Sequence, residues 1–306
     1  MSRAASARIV RQPTADQLHQ FATLLIADRA ANDVIMNDRR PASIVQAVQL
    51  PWCHFVLIAP NDAPALIVGG IVFVDLPHSS LCYLGALFVR KDFRGQGFGM
   101  RLFREFQLRA DQRRVWFCDL ARISKIRLRH SSFSVEGRYR ILRLSGYAEN
   151  IAIAAGRLLA AHEHADDQEP LPEVCAFPGS LDLSAIVQYD SLVSGRNRSA
   201  AFEELTKVDG FRGLAAIDDR GAVLGFGVSL HSTPTSGEEN SNELRIGPLY
   251  AVNLITAVCL LRDLCATADD QVVMHVPDLA KRMLRFLGDK AACEVDTTFQ
   301  RYFSRE

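Results

Sequence analysis

One short segment limits what this chain can fold into more than any other: Phe88-Val89-Arg90-Lys91-Asp92-Phe93-Arg94-Gly95-Gln96-Gly97-Phe98-Gly99. It joins an apolar run that reads as a strand, residues 81–89, to a helical pattern. In that pattern Phe98, Leu102, Phe103, Phe106 and Leu108 form an apolar face, and Arg101, Arg104 and Arg109 a basic one. The first backbone N–H groups of a helix have no intrahelical partner, and the helix dipole favours an anion there. Glycines at 95, 97 and 99 let the main chain approach a ligand without a Cβ in the way. The chemistry predicted is a phosphate or pyrophosphate held by main-chain amides, with Arg94 adding a charged contact. Two common phosphate loops fail on spacing. A P-loop needs Gly-Lys-Ser/Thr, and no Lys follows these glycines. A dinucleotide GxGxxG needs a glycine at 100 or 102, which are Met and Leu.

The rest of the chain alternates element types. A short strand near residues 8–11 precedes a helix that Thr14 can cap, with Leu18, Phe21, Leu24, Leu25 and Ile26 at helical spacing. A second short helix fits residues 41–50. Strands read at 54–60, 65–76 and 81–89, and RVWFCDL (114–120) makes another after the loop helix. The stretch 161–172, AHEHADDQEPLP, is polar and contains prolines, as a linker or inter-domain excursion would. Beyond it the order repeats. A helix carries Leu192 and Phe202–Leu205, strands read at 213–218, 223–230 and 243–251, and a helix spans 253–265. A strand at 271–277, a helix at 278–287 and a closing pair of strands through Tyr302 complete the chain. A length of 306 residues suits two domains, and the shared order suggests a tandem of related ones, with no repeat visible residue by residue.

With that order on both sides, V-x-x-x-x-R-G-x-G-x-G (Val89 to Gly99) resembles the acetyl-CoA signature of the GNAT superfamily of N-acetyltransferases, over roughly residues 8–150. The resemblance implies an α+β fold of two tandem GNAT-like acyl-CoA N-acyltransferase domains, each a mixed central sheet flanked by helices. It implies acetyl-CoA as co-substrate, held by Leu87, Phe88, Val89, Arg94, Gly95, Gln96, Gly97, Phe98, Gly99 and Met100. The loop amides would take the pyrophosphate, and the backbone of Leu87–Val89 would pair with pantetheine and polarise the thioester carbonyl. The second half resembles the degenerate C-terminal GNAT-like domain of tandem proteins, through Tyr189-Asp190, Arg196 or Arg198, Gly225-Phe226-Gly227 and Ile246–Ala251. If Pro248 takes the place of Val89, Asn253 takes that of Arg94, and no glycine follows through Ala257. The expected domains are residues 1–165, binding acetyl-CoA, and 166–306, shaping the acceptor pocket or serving as structure only.

Such enzymes often draw the acid for the departing thiolate from a Tyr in a Y-x-x-x-G-F segment. Here the nearest match, residues 142–147, has Leu142 in that place, and an alternative register built on Phe133 gives Leu128. Tyr139 and Tyr147 are substitutes, each equally readable as an ordinary strand residue. Asp119, at the end of a buried strand, is the candidate base, with Glu136 in reserve. Asp119 also reads as a helix cap, and a water chain could serve as base in either case. His162-Glu163-His164 spaces its imidazoles so that they face different ways on a helix, so no metal site is expected. His130-Ser131-Ser132 lacks the GxSxG elbow. Asp278, after Pro277, reads as a helix cap.

Composition narrows the partners. The chain has no net charge, but residues 1–150 carry +9 and residues 151–306 carry −9, and residues 90–143 alone carry +10. That basic stretch suits the phosphates of CoA. Aromatic–basic interleaving is missing, which argues against nucleic acid. No apolar run reaches the roughly 20 residues that span a bilayer, so no membrane partner is expected. Seven scattered cysteines (53, 82, 118, 175, 259, 265, 293) form no CxxC pair and suit a reducing compartment. A cytoplasmic location is expected. The basic first residues also suit a mitochondrial transit peptide, although residues 8–10 already read as a strand. The function expected is acetyl transfer to an amine of a small molecule, amino acid or peptide, by a monomer or homodimer. The competing reading is a non-catalytic acyl-CoA-binding or scaffold protein.

Overall fold

The computed structural model describes residues 6–31, 52–75, 81–110, 114–120, 135–165, 169–232, 243–266 and 270–303. The helix expected at 41–50 lies outside them. The chain forms two compact units, Met1–Gly137 with Arg301–Glu306, and Arg138–Gln300.

The first unit runs β1 (Ala7–Val10), α1 (Ala15–Ala31), β2 (Cys53–Pro60), β3 (Gly69–Val74), β4 (Leu81–Val89), α2 (Phe98–Ala110) and β5 (Arg114–Leu120). Its strands lie in the order β1-β2-β3-β4-β5. Neighbours are antiparallel except β4 and β5, which are parallel. Helix α1 starts at a reciprocal cap: Gln17 N donates to Thr14 Oγ1 (3.3 Å), and Thr14 N donates to Gln17 Oε1 (3.0 Å). Its Leu18, Phe21 and Leu25 pack against Phe55, Leu57 and Phe88 of the sheet. On the opposite sheet face, Phe98, Leu102 and Phe106 of α2 pack against Ile58, Ile71 and Phe73. Alternating strand residues thus serve two helical layers, as a pleated sheet requires. Strand β3 is shorter than the apolar run 65–76 suggests, because a turn closed by Leu66 N on Ala63 O (3.0 Å) precedes it.

The second unit holds nearly all of β6 (Val135–Tyr147), then α3 (Ala148–Glu163), β7 (Glu173–Phe177), α4 (Leu183–Ser194) and α5 (Ser199–Leu205). There follow β8 (Phe211–Ile217), β9 (Val223–Ser232), β10 (Glu243–Ala251), α6 (Leu254–Cys265), β11 (Gln271–Pro277), α7 (Lys281–Arg285) and most of β12 (Glu294–Phe303). The strand order is β12-β6-β11-β10-β9-β8-β7. Within it, β7-β8-β9-β10-β11 repeats the arrangement of β1 to β5, including one parallel pair, β10 with β11. Helices α3 and α6 cover one face through Ile151, Leu159, Leu261 and Leu264. Ile186 of α4 and Phe202 of α5 cover the other through Phe226 and Val228.

The structure departs from the expected elements at several places. By their own contacts the two units divide at Gly137, and Ala148, Ile151, Ala155 and Leu159 bury α3, which runs into the polar stretch 161–172, in the core of the second unit. The helix through Leu192 and Phe202 is two helices, interrupted where Gly195 takes a left-handed φ of 68°, and Leu192 is exposed. The helix at 278–287 is only a short α7 followed by a wider turn, and one strand, β12, closes the chain. Asp278 caps no helix: it accepts from Arg140 N (3.2 Å) while its own N donates to Arg140 O (2.9 Å), tying the end of β11 to β6.

Candidate functional site

The loop is built from the end of β4. Its parallel register with β5 covers Leu81–Tyr83 and stops there, after which the partner on the other edge, β3, carries β4 on to Val89. Gly69 makes the approach of β3 close enough, since a Cβ there would lie 2.7 Å from Phe88 O. Arg90 N donates to Val68 O on the β3 side (2.8 Å), so Val89 turns its carbonyl to the opposite edge, beyond the last pair with β5.

From Arg90 the chain makes one 3-10 turn, Lys91–Phe93. Arg90 stays beside that turn, bonded to Asp92 (2.7 and 3.2 Å) with its guanidinium over the Phe93 ring. Phe93 stacks on Phe98, which is buried and anchors the first turn of α2. Gly95 (φ 77°) and Gly97 (φ 81°) both take the left-handed conformation, and a Cβ at either would meet nothing within 4 Å. These two glycines are needed for the backbone they adopt, and that backbone faces open space. Gly99 has no such φ, and a Cβ there would touch only Val89, at 3.7 Å.

Gly97 O accepts from Arg101 N (3.1 Å), which makes Gly97 the cap residue of α2. A glycine has no side chain to offer the amides of Phe98, Gly99 and Met100. The helix therefore presents a row of N–H groups at an open cradle, with no Cβ at the two turns leading into it. This arrangement fits a phosphate or diphosphate group. Arg94, which follows the turn, donates from Nε to Val89 O and from Nη2 to Asp28 Oδ1 of α1, both at 2.7 Å. Asp28 was not visible as a site residue in the sequence, where it is one acid on an amphipathic helix.

The corresponding place in the second unit is built differently. Only Val252 and Asn253 separate β10 from α6, and the Asn253 side chain accepts from Thr256 N (2.8 Å). The helix start is capped by its own chain, and the open, glycine-capped start of α2 has no counterpart there. The other residues of the expected pattern are structural. Asp190, fully buried, forms a two-point ion pair with Arg198, whose guanidinium lies 5.9 Å from the Phe202 and Tyr250 ring centres. Tyr189 donates to Leu224 O (3.0 Å), and burial raises its pKa. Gly225 and Gly227 allow close packing, since a Cβ would strike Tyr250 O at 2.6 Å and Leu249 at 2.7 Å respectively.

The structure brings the residues 87–89 and 94–100 together at one strand end and one helix start. It does not gather the three catalytic candidates into one unit. Asp119 is on β5 of the first, and its side chain lies outside the described residues. Tyr139 and Tyr147 are on β6 in the second unit. Tyr139 is half-buried, while Tyr147 is 65% exposed and is the last strand residue before α3. Glu136 is exposed, and Leu128 and His130–Ser132 fall outside the described residues. His162 meets the Glu169 carbonyl through Nε2 (3.1 Å), and no metal-holding group of side chains occurs among the described residues.

Two family models match, one on each half. A GNAT-family acetyltransferase model covers residues 29–126, including the whole loop, and a GNAT acetyltransferase domain model covers residues 186–305. The chain is a tandem GNAT protein. GNAT proteins form a superfamily of acyltransferases, and this tandem GNAT chain shares the fold across its length. It resembles a tandem GNAT protein from the clavulanic acid biosynthesis pathway, with 13% identity and a TM-score of 0.65, covering 98% of this chain and 99% of that one. It also resembles a GCN5-related N-acetyltransferase from Sphaerobacter thermophilus, with 16% identity and a TM-score of 0.61, covering 98% and 96%. A third likeness is to a glucosamine N-acetyltransferase region of a fungal multi-domain GH3 β-N-acetylglucosaminidase. That match has 10% identity and a TM-score of 0.70, covering 98% of this chain and 38% of that one. No curated protein matches the sequence. No helix among the described residues of the tandem GNAT chain is long and apolar enough to cross a membrane.

Proposed function

We propose that this protein transfers the acetyl group of acetyl-CoA to an amine, with acetyl-CoA held by the first domain. The observation that carries the reading is the open start of α2, where a left-handed glycine caps the helix and leaves the amides of Phe98, Gly99 and Met100 to an anion. Beside it, Leu87–Val89 runs past the last pair with β5, where its carbonyl and amide groups would serve a pantetheine arm once Arg94 leaves Val89 O. Direct transfer then needs the amine deprotonated, its nitrogen bonded to the thioester carbon, and the C–S bond broken with a proton passed to the thiolate. In this reading Asp119 or a bound water takes the first proton, and Tyr139 or Tyr147 supplies the last. The acceptor is an amine of a small molecule or peptide, the protein acts in the cytoplasm, and neither membrane nor nucleic acid is needed.

The second reading, an acyl-CoA binder without catalysis, draws support from Leu142, which stands where the family's acid would be. Thiol release from acetyl-CoA across a panel of diamines, amino acids, amino sugars and peptides separates the two. Release with at least one amine, lost in Gly97→Glu, is expected. Silence on the whole panel by a protein that acetyl-CoA stabilises against heat would establish the binder instead.

A further inference from the structure

We propose that Asp28 competes with the diphosphate of acyl-CoA for the Arg94 guanidinium, so that this ion pair sets the affinity of the loop. The inference rests on reading the loop as the CoA site.

Arg94 is the cation expected to meet the diphosphate, yet its Nε and Nη2 are both engaged by groups of the protein, Val89 O and Asp28 Oδ1. Arginine grips a phosphate best with two parallel N–H groups along one edge of its fork. The Nε–Nη2 edge can do so only by leaving both partners. Asp28 also sets a negative charge against the cation, so an arriving diphosphate meets a guanidinium whose field is largely cancelled. The Arg94 and Asp28 side chains are 48% and 25% exposed, and a pair so placed is weak enough to exchange. A diphosphate bound at the amides of α2 brings more charge than one carboxylate, and it displaces Asp28. When Arg94 leaves, Val89 O loses its donor too. This carbonyl lies on the edge where the pantetheine arm would pair, so one side-chain movement opens both parts of the site. Asp28 is thus a positioning residue, acting through Arg94.

Isothermal titration of CoA into the full-length protein tests this with Asp28→Asn and Asp28→Ala, in the wild-type and Arg94→Ala backgrounds. In the wild-type background both Asp28 variants are expected to bind CoA about two- to five-fold more tightly, the scale of one partly exposed ion pair. In the Arg94→Ala background they are expected to change nothing. Equal or weaker binding by folded Asp28 variants overturns the proposal, as does tightening that persists without Arg94. Failure of CoA to bind the wild-type protein overturns the reading of the loop itself, a result distinguishable from the other two.

Discussion

His275 shows how a single residue depends on what its sheet face carries. It pairs in register with Arg143, which is buried and held by Asp296 and, at 3.7 Å, by Glu243. The His275 residue is exposed, yet the groups packed around its ring hold its pKa below the ordinary 6.5: chiefly desolvation, then repulsion from Arg143 and Arg245, with Glu243 opposing. A histidine whose pKa falls on folding favours the neutral native form. As the pH drops through 6.5, the unfolded chain takes up a proton that the folded chain resists, and stability is lost. Urea midpoints at pH 7.5 and pH 5.5 are expected to show a larger loss for wild type than for His275→Gln, and equal losses would contradict this. Nothing in the sequence pointed to this residue, because its neighbours come from β10 and β6, far apart in the chain. Gly95 and Gly97 are the opposite case. Their role follows from a local backbone requirement, which a motif can state in full. Asp28 was hidden for the same reason as His275, since its partner Arg94 is reached only through the fold.

Helix starts carry the difference between the two halves. Both α2 and α6 follow the strand that runs parallel to its neighbour, but one is capped by a bare glycine and the other by Asn253. Replacing Asn253 by Ala removes the Thr256 N partner and is expected to destabilise the protein by about 1 kcal/mol, leaving CoA affinity unchanged. Chemical denaturation with a parallel CoA titration checks both parts, and a drop in affinity would mean that α6 contributes to the site. Strands such as β2, β5, β10 and β11 were legible because short apolar runs between turn residues admit little else. Helix α7 and the break at Gly195 were not, since both depend on how the chain turns rather than on periodicity. One trace of the repeat does survive at single positions. Gly69 sits opposite Val89 and Gly225 opposite Ala251, and in each case a Cβ would strike the carbonyl just before that strand end. A sequence comparison misses it because two glycines alone carry no statistical weight.

Over the whole molecule, the zero net charge divides into a basic half that contains the anion cradle and an acidic half whose helix start is capped from within. The order of elements foretold two related domains. It did not show that α3, although next to the polar stretch, buries its apolar face on α6. The central claim is that, of the two GNAT domains, the first alone holds CoA, at Gly97. Isothermal titration of acetyl-CoA, with stoichiometry and affinity read together, tests it most directly. The account requires one site per chain, abolished by Gly97→Glu, which sets a carboxylate at the cradle while the left-handed turn costs only about 1–2 kcal/mol of stability. Two sites per chain, or binding that survives in folded Gly97→Glu, would contradict it.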